Sequence, residues 1–248
     1  MSARETIEKA SKSGKTWLTE VDAKQVLREA GVSVVDTRLA TSRQQAVSLA
    51  RDVGFPAALK VVSPDIFHKS DVGGVKLNLP DEAAVGRAYD EILAAVKRNA
   101  PKAVVEGLAV QRMARPGIEV IIGVNRDALL GPVIMFGLGG IWVEVMKDVS
   151  MRVVPISRWD ASQMVQEIRG FPLLKGLRGQ SGASIPALEE MLLRVSALAA
   201  ENPEIKELDL NPVFAYSDGA VAVDAKLVLE PQPNAVSGTA GVAAQPGR

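Results

Sequence analysis

Hydrophobic positions along this chain recur with two different periods, and the switches between them predict its elements. From Thr19 the order Thr-Glu-Val-Asp-Ala-Lys-Gln-Val-Leu-Arg-Glu-Ala-Gly sets a capping threonine against Asp22, places Val26 and Leu27 inside, and stops at Gly31. That pattern is a helix of about three turns. The β-branched stretch Val32 to Leu39 then reads as extended, and Thr41 opens a second helix with Ala46, Val47, Ala50 and Val53 on one face, closed by Gly54. Pro56 leads into Ala57 to Val62, a short apolar run bounded by turn residues, which reads as a buried strand. A polar loop from Ser63 to Gly74 separates it from a returning strand, Val75 to Leu79.

The second half changes character. A long helical pattern runs from Asp81 to Asn99 and is stopped by Pro101; strands follow at Val104 to Val105, Ala109 to Met113, Gly117 to Val124, Gly131 to Phe136 and Met151 to Ile156. The connection Gly137-Leu138-Gly139-Gly140 interrupts the series. Further helices are expected over 161–169 and 185–200, then strands over 205–210 and 220–223. Pro231 to Arg248 is rich in proline, glycine and alanine without periodicity and is expected to be a flexible tail. Neither strict strand–helix alternation nor an all-strand pattern fits, so the predicted class is α+β with two sheet-containing lobes.

Composition narrows the chemistry. The 248 residues balance 29 Lys+Arg against 29 Asp+Glu, with one histidine, His68, and no cysteine. A neutral balance argues against bare nucleic acid as the main partner, because phosphate-backbone binding needs a concentrated basic excess. The missing thiols and lone imidazole exclude disulfides, cysteine zinc sites and multi-histidine metal sites within this sequence. A bound metal is expected to be held by oxygen, as Mg²⁺ is. No apolar run approaches the roughly 18 residues that span a bilayer, and the start lacks a signal-peptide core, so no membrane contact and a cytoplasmic location are expected.

Three groups of residues carry candidate chemistry. Lys60 lies inside an apolar strand, where an ammonium needs an opposite charge, either a protein carboxylate or a ligand anion such as phosphate, unless it snorkels to water. The loop that follows holds Gly73 and Gly74, which allow close approach of backbone N–H groups to phosphates but equally serve a plain turn. His68 sits in that loop beside Lys69; a single histidine is usually incidental, but imidazole near a phosphate site can attack a phosphoryl group. Finally, Glu207, Asp209 and Asn211 share one face of a strand, and a hairpin through Ser217-Asp218-Gly219 brings Asp224 beside Asn211. Half-exposed strands show the same alternation, yet these oxygens also suit a Mg²⁺ platform.

Taken together, Leu18-Thr19-Glu20 with Ala23-Lys24, the Lys60 strand, Ser63-Pro64-Asp65, His68-Lys69-Ser70-Asp71-Val72-Gly73-Gly74-Val75, Gly137-Leu138-Gly139-Gly140 and Asp209-Leu210-Asn211-Pro212 resemble the ATP-grasp β subunit of ADP-forming acyl-CoA synthetases. Succinyl-CoA synthetase β subunits are relatives that lack the loop histidine. The resemblance implies an ATP-grasp fold over 1–230, with a first lobe over about 32–108, a second over about 16–31 plus 109–230, and nucleotide between them. It implies that Lys60 contacts the α- and β-phosphates of ATP or ADP and that Gly73 and Gly74 belong to the loop covering them. Lys69, beside His68, would help neutralise the incoming phosphoryl charge; by the resemblance the backbone of Gln111, Arg112 and Met113 reads the adenine, Glu119 is an acid at the nucleotide, and Asn211 and Asp224 ligate Mg²⁺. His68 matches the transiently phosphorylated histidine, and Asp209 a group that orients it. A CoA-binding α subunit with its own histidine is the implied partner, in an α₂β₂ assembly. Two other readings remain open at this stage: another ATP-grasp carboxylate ligase that forms an acyl phosphate directly, and a nucleotide-binding regulatory module without chemistry.

Overall fold

The computed structural model describes residues 2–66, 68–140, 148–176 and 181–231. Among the described residues eleven strands fall into two sheets. The smaller is built from β2 (Thr37–Ala40), β3 (Ala57–Val62), β4 (Val75–Leu79) and β5 (Gly107–Arg112), in the order β2-β5-β3-β4 and antiparallel throughout. Helices α3 (Arg43–Val53) and α4 (Glu82–Asn99) cover one face, burying Ala46, Ala50, Val85 and Ile92 against Leu59, Val61, Leu108 and Val110. Ser42 and Asp81 cap these helices by accepting hydrogen bonds from the N–H of Gln45 and Ala84. Every residue of β3 is buried, including Lys60. β3 is therefore a central strand with an ammonium in its middle.

The larger sheet contains β1 (Trp17–Leu18), β6 (Ile118–Asp127), β7 (Gly131–Leu138), β8 (Val149–Val153), β9 (Ile205–Tyr216), β10 (Gly219–Ala222) and β11 (Lys226–Leu229). Its order is β1-β11-β9-β6-β7-β8, with β10 also on β9. Helices α1 (Ala3–Lys12), α2 (Glu20–Glu29), α5 (Arg158–Glu167), α6 (Phe171–Leu174) and α7 (Ile185–Glu201) belong to this half. Val120, Ile122, Ile134, Phe136, Leu208 and Leu210 form its core with Val26, Leu27, Met164, Leu188 and Val195. Helix α2 thus packs on the large-sheet core while following the short edge strand β1.

Several expectations shift. The boundary placed near 108 falls inside β5, because one strand pairs with both β2 and β3 and carries the smaller sheet to Arg112. The extended stretch before α3 is a strand only from Thr37; Val34 makes a single parallel bridge to Ala222. Strand β9 does not stop near 210 but continues through Pro212 to Tyr216. Proline offers no N–H to the ladder, and the β6–β9 register slips between Val120 and Ile122 at this point, so the sheet absorbs the missing donor in a bulge. Helix α1, β1 and β11 are additions, the first marked by a reciprocal Ser2–Glu5 capping box. The expected tail lies outside the described residues apart from Pro231.

Candidate functional site

The two sheets meet around a buried cluster of charges. Glu20, in the first turn of α2, and Lys24, one turn later, lie on the same stripe as Ala23 and Leu27, and all four are buried. Glu20 Oε1 accepts from Lys24 Nζ at 2.9 Å and from Lys60 Nζ at 2.8 Å, while Oε2 accepts from Lys69 Nζ at 2.6 Å. Lys60 also pairs with Asp224 Oδ2 at 3.1 Å, and Lys69 approaches Asp224 Oδ1 at 3.9 Å. Three ammonium groups thus face two carboxylates, one positive charge in excess. Burial of such charges is tolerable only because each is paired and hydrogen-bonded.

Lys24 joins the halves. Its ammonium donates to Thr37 Oγ1 at 2.9 Å and to Gln111 Oε1 at 2.8 Å in the smaller sheet, and to the Val223 carbonyl at 2.6 Å in the larger half. Burial opposes ionisation of Glu20, but Lys60, Lys24 and Lys69 outweigh it and hold the carboxyl well below the ordinary glutamate range. Burial likewise opposes the charge on Lys60, yet Glu20 and Asp224 raise it above the usual lysine value. For Lys24, burial prevails and lowers it.

Beside the cluster lies a cavity of about 440 Å³ lined by residues of both halves. Lys60, His68, Lys69, Asp71, Gln111 and Asp224 supply its polar wall, and Val75, Leu77, Met113, Ala114, Phe214 and Val223 its apolar one. Val75 and Leu77 reach it together because alternate residues of β4 share a face. An apolar slot next to two lysines suits a ligand with a flat ring and a polyphosphate. A second cavity of about 150 Å³, lined by Glu20, Ser63, Lys69, Asp209, Asn211, Asp224 and Lys226 among others, adjoins it; Lys69 and Asp224 line both. Burial, reinforced by the charge of Glu207, pushes Asp209 above the ordinary aspartate range.

Most sequence-predicted residues converge here. Lys60, His68, Lys69, Gln111, Met113 and Asp224 line the larger cavity, and Asp209, Asn211 and Asp224 the smaller. His68 is exposed at the cavity wall, and its carbonyl accepts from the Asp71 N–H at 3.2 Å in the turn. Gly73 and Gly74 line neither cavity. Gly73 takes φ +71°, and a Cβ on Gly74 would stand 2.5 Å from Val61 Cγ1 and 2.8 Å from the Lys69 carbonyl, so the pair packs the loop against β3. Arg112 also lines neither cavity; its side chain runs past Gly54, where a Cβ would meet Arg112 Cδ at 3.6 Å, because successive β5 residues face opposite ways. Glu119, on β6, lies against Gly139 and Gly140 and lines neither cavity.

The residues given no role in advance are Glu20 and Lys24. Their signal was readable: two charges on the buried stripe of an amphipathic helix. For a divalent cation the donor set is wholly oxygen, from Asp209, Asn211 and Asp224 around one small cavity. No cluster of three or more His, Cys, Asp or Glu side chains able to hold a metal is found among the described residues. Such a set fits Mg²⁺, which takes one or two carboxylates and completes its shell with water and substrate phosphate. No helix among the described residues is long and apolar enough to cross a membrane.

Comparison with known proteins agrees with this geometry. A family model described as an ATP-grasp domain matches residues 9–229. The β subunit of acetate–CoA ligase (ADP-forming) I from Pyrococcus furiosus is 44% identical over 227 residues, covering 92% of this chain and 97% of that one. The acetate–CoA ligase (ADP-forming) I of Archaeoglobus fulgidus is 46% identical over 227 residues, 92% of this chain but 33% of the relative. Acetyl-coenzyme A synthetase 1 of Ca. Korarchaeum cryptofilum, solved with coenzyme A and Ca-AMPCP, is 48% identical with a TM-score of 0.90, covering 92% of this chain and 100% of that one. The same enzyme solved with coenzyme A and Mg-AMPPCP, its phosphohistidine segment pointing towards the nucleotide site, is 43% identical with a TM-score of 0.82 over 92% and 100%. The chain therefore belongs to the ATP-grasp family, in the branch formed by the β subunits of ADP-forming acetate–CoA ligases.

Proposed function

We propose that this chain is the nucleotide-binding, phosphoryl-transferring β subunit of an ADP-forming acyl-CoA synthetase, acting with a CoA-binding α subunit in an α₂β₂ assembly. With that partner the overall reaction is acyl-CoA + ADP + phosphate = acid + CoA + ATP. The observation that carries the reading is the placement of His68 and Lys69 on the wall of the cavity that also presents Lys60 and Asp224. The apolar wall from Met113 and Phe214 would take the adenine, and Lys60 the phosphates.

On this reading an imidazole nitrogen of His68 attacks the γ-phosphorus of ATP. The bond to the β,γ-bridging oxygen breaks, ADP leaves with that electron pair, and the phosphorylated ring releases the proton of its other nitrogen to water. ATP formation is the reverse, the phosphoryl group having arrived from the histidine of the partner. Lys60 and Lys69 offset charge on the transferred group, which is where electrostatic stabilisation acts in phosphoryl transfer. Asn211 and Asp224 would hold Mg²⁺, which when bound neutralises phosphate charge. Asp209, on the wall of the smaller cavity that shares Lys69 and Asp224 with the larger, would orient the phosphorylated imidazole.

Labelling decides the matter. Incubated with γ-³²P-ATP and Mg²⁺, the chain should acquire an acid-labile, base-stable label that His68→Ala abolishes while Mg-ADP binding persists. Full turnover by His68→Ala with its partner would overturn the proposal in favour of a directly formed acyl phosphate. Absence of label on the wild-type chain with its partner present would favour a nucleotide-binding module without chemistry.

A further inference from the structure

Glu20 stands where three functional elements meet, and its side chain is 1% exposed. One oxygen is shared by Lys60 of β3 and Lys24 of its own helix; the other belongs to Lys69, the residue next to His68. The loop that carries His68 returns to β3 through the Gly74 N–H on the Lys69 carbonyl at 2.7 Å, so Lys69 is tied at both backbone and side chain. A carboxylate this deep in the protein, able to ionise only because lysines surround it, is costly to retain unless its charge is used.

We propose that Glu20 is a positioning residue for phosphoryl transfer, docking the His68 loop through Lys69 and fixing Lys60 at the nucleotide cavity on one buried carboxylate. This rests on the assignment of His68 as phosphoryl carrier. Glu20 itself lines only the smaller cavity, so it acts through the two lysines that line the larger one. A rigid mount of this kind matters because a displacement of about 1 Å can cost about a hundredfold in rate.

The decisive variant is the double substitution Glu20→Gln/Lys24→Met, which removes one charge of each sign and leaves the excess of the cluster unchanged. A companion, Glu20→Asp, keeps the charge and withdraws it by one methylene. Each is studied with the CoA-binding partner for three quantities: His68 labelling rate from γ-³²P-ATP, Mg-ADP affinity, and amide exchange over 68–74. The double variant should label about a hundredfold more slowly, exchange faster in the loop, and bind Mg-ADP more weakly. Glu20→Asp should slow labelling less than the double variant does. Labelling, loop exchange and Mg-ADP affinity all within twofold of wild type in the double variant would overturn the inference, as would a Glu20→Asp protein indistinguishable from wild type. If the wild type takes no label, the role of His68 falls, and the positioning claim is still decided by loop exchange and Mg-ADP affinity.

Discussion

At the scale of single residues, the charge cluster sets a contrast between buried and exposed ion pairs. Lys24 has a side chain 1% exposed and bridges four partners, whereas Arg51 and Glu82 pair on the surface. Lys24→Met should cost about 3–5 kcal/mol in urea unfolding, since it removes one cation from buried Glu20 and strips Thr37 Oγ1 and the Val223 carbonyl of the Lys24 donor, leaving Gln111 Oε1 with Thr37 alone; Glu82→Gln should leave the midpoint where it is. Asp209 gives the opposite sign. Its folded-state pKa is raised by burial and by Glu207, so any stability it contributes is present in acid and lost as pH rises through that raised value. Asp209→Asn should therefore raise the urea midpoint at pH 7, not at pH 3, while slowing phosphoryl transfer, a trade common at functional sites.

The elements show how a loop is given a fixed path. Gly74 has no room for a methyl group, with Val61 Cγ1 at 2.5 Å and the Lys69 carbonyl at 2.8 Å, whereas Gly131 has φ +77° and open space. Gly74→Ala should cost about 1–3 kcal/mol in thermal unfolding through forced repacking and should also slow His68 labelling, because the loop is pushed off β3. Gly131→Ala should cost about 1 kcal/mol from backbone conformation alone and leave labelling unchanged. Much of this element structure was legible: the strand at 57–62, the helix from 82 and the alternation of Glu207, Asp209 and Asn211 follow from period and punctuation. What escaped has physical reasons. A proline ordinarily ends a central strand, so the passage of β9 through Pro212 depends on a bulge set by its partner β6, not by local preference. Two-residue β1 and four-residue β11 are held by pairing with each other and with β9, which no local window contains. Lys60 and His68 stand out as polar residues in unusual places; Glu20 and Lys24 show in the sequence only as charges on a buried helical stripe, and their partners, from β2, β3, β5 and the His68 loop, lie outside any local window.

For the molecule as a whole, the same ionic cluster that serves the cavity also joins its two halves. Glu20 is ionised because three lysines favour it, so its contribution to stability is present above its unfolded value of 4.5 and is lost as pH falls further. Circular dichroism across a pH series should show stability dropping below 4.5 in the wild type, and the drop should be smaller in Glu20→Gln/Lys24→Met. Lys69 and Asp224 have a further consequence, because each belongs to the walls of both cavities. An occupant that draws this pair toward one compartment changes the shape and charge met in the other. Thermodynamic linkage then makes any such effect mutual: the factor by which an occupant of the smaller chamber changes nucleotide affinity is the factor by which nucleotide changes its own.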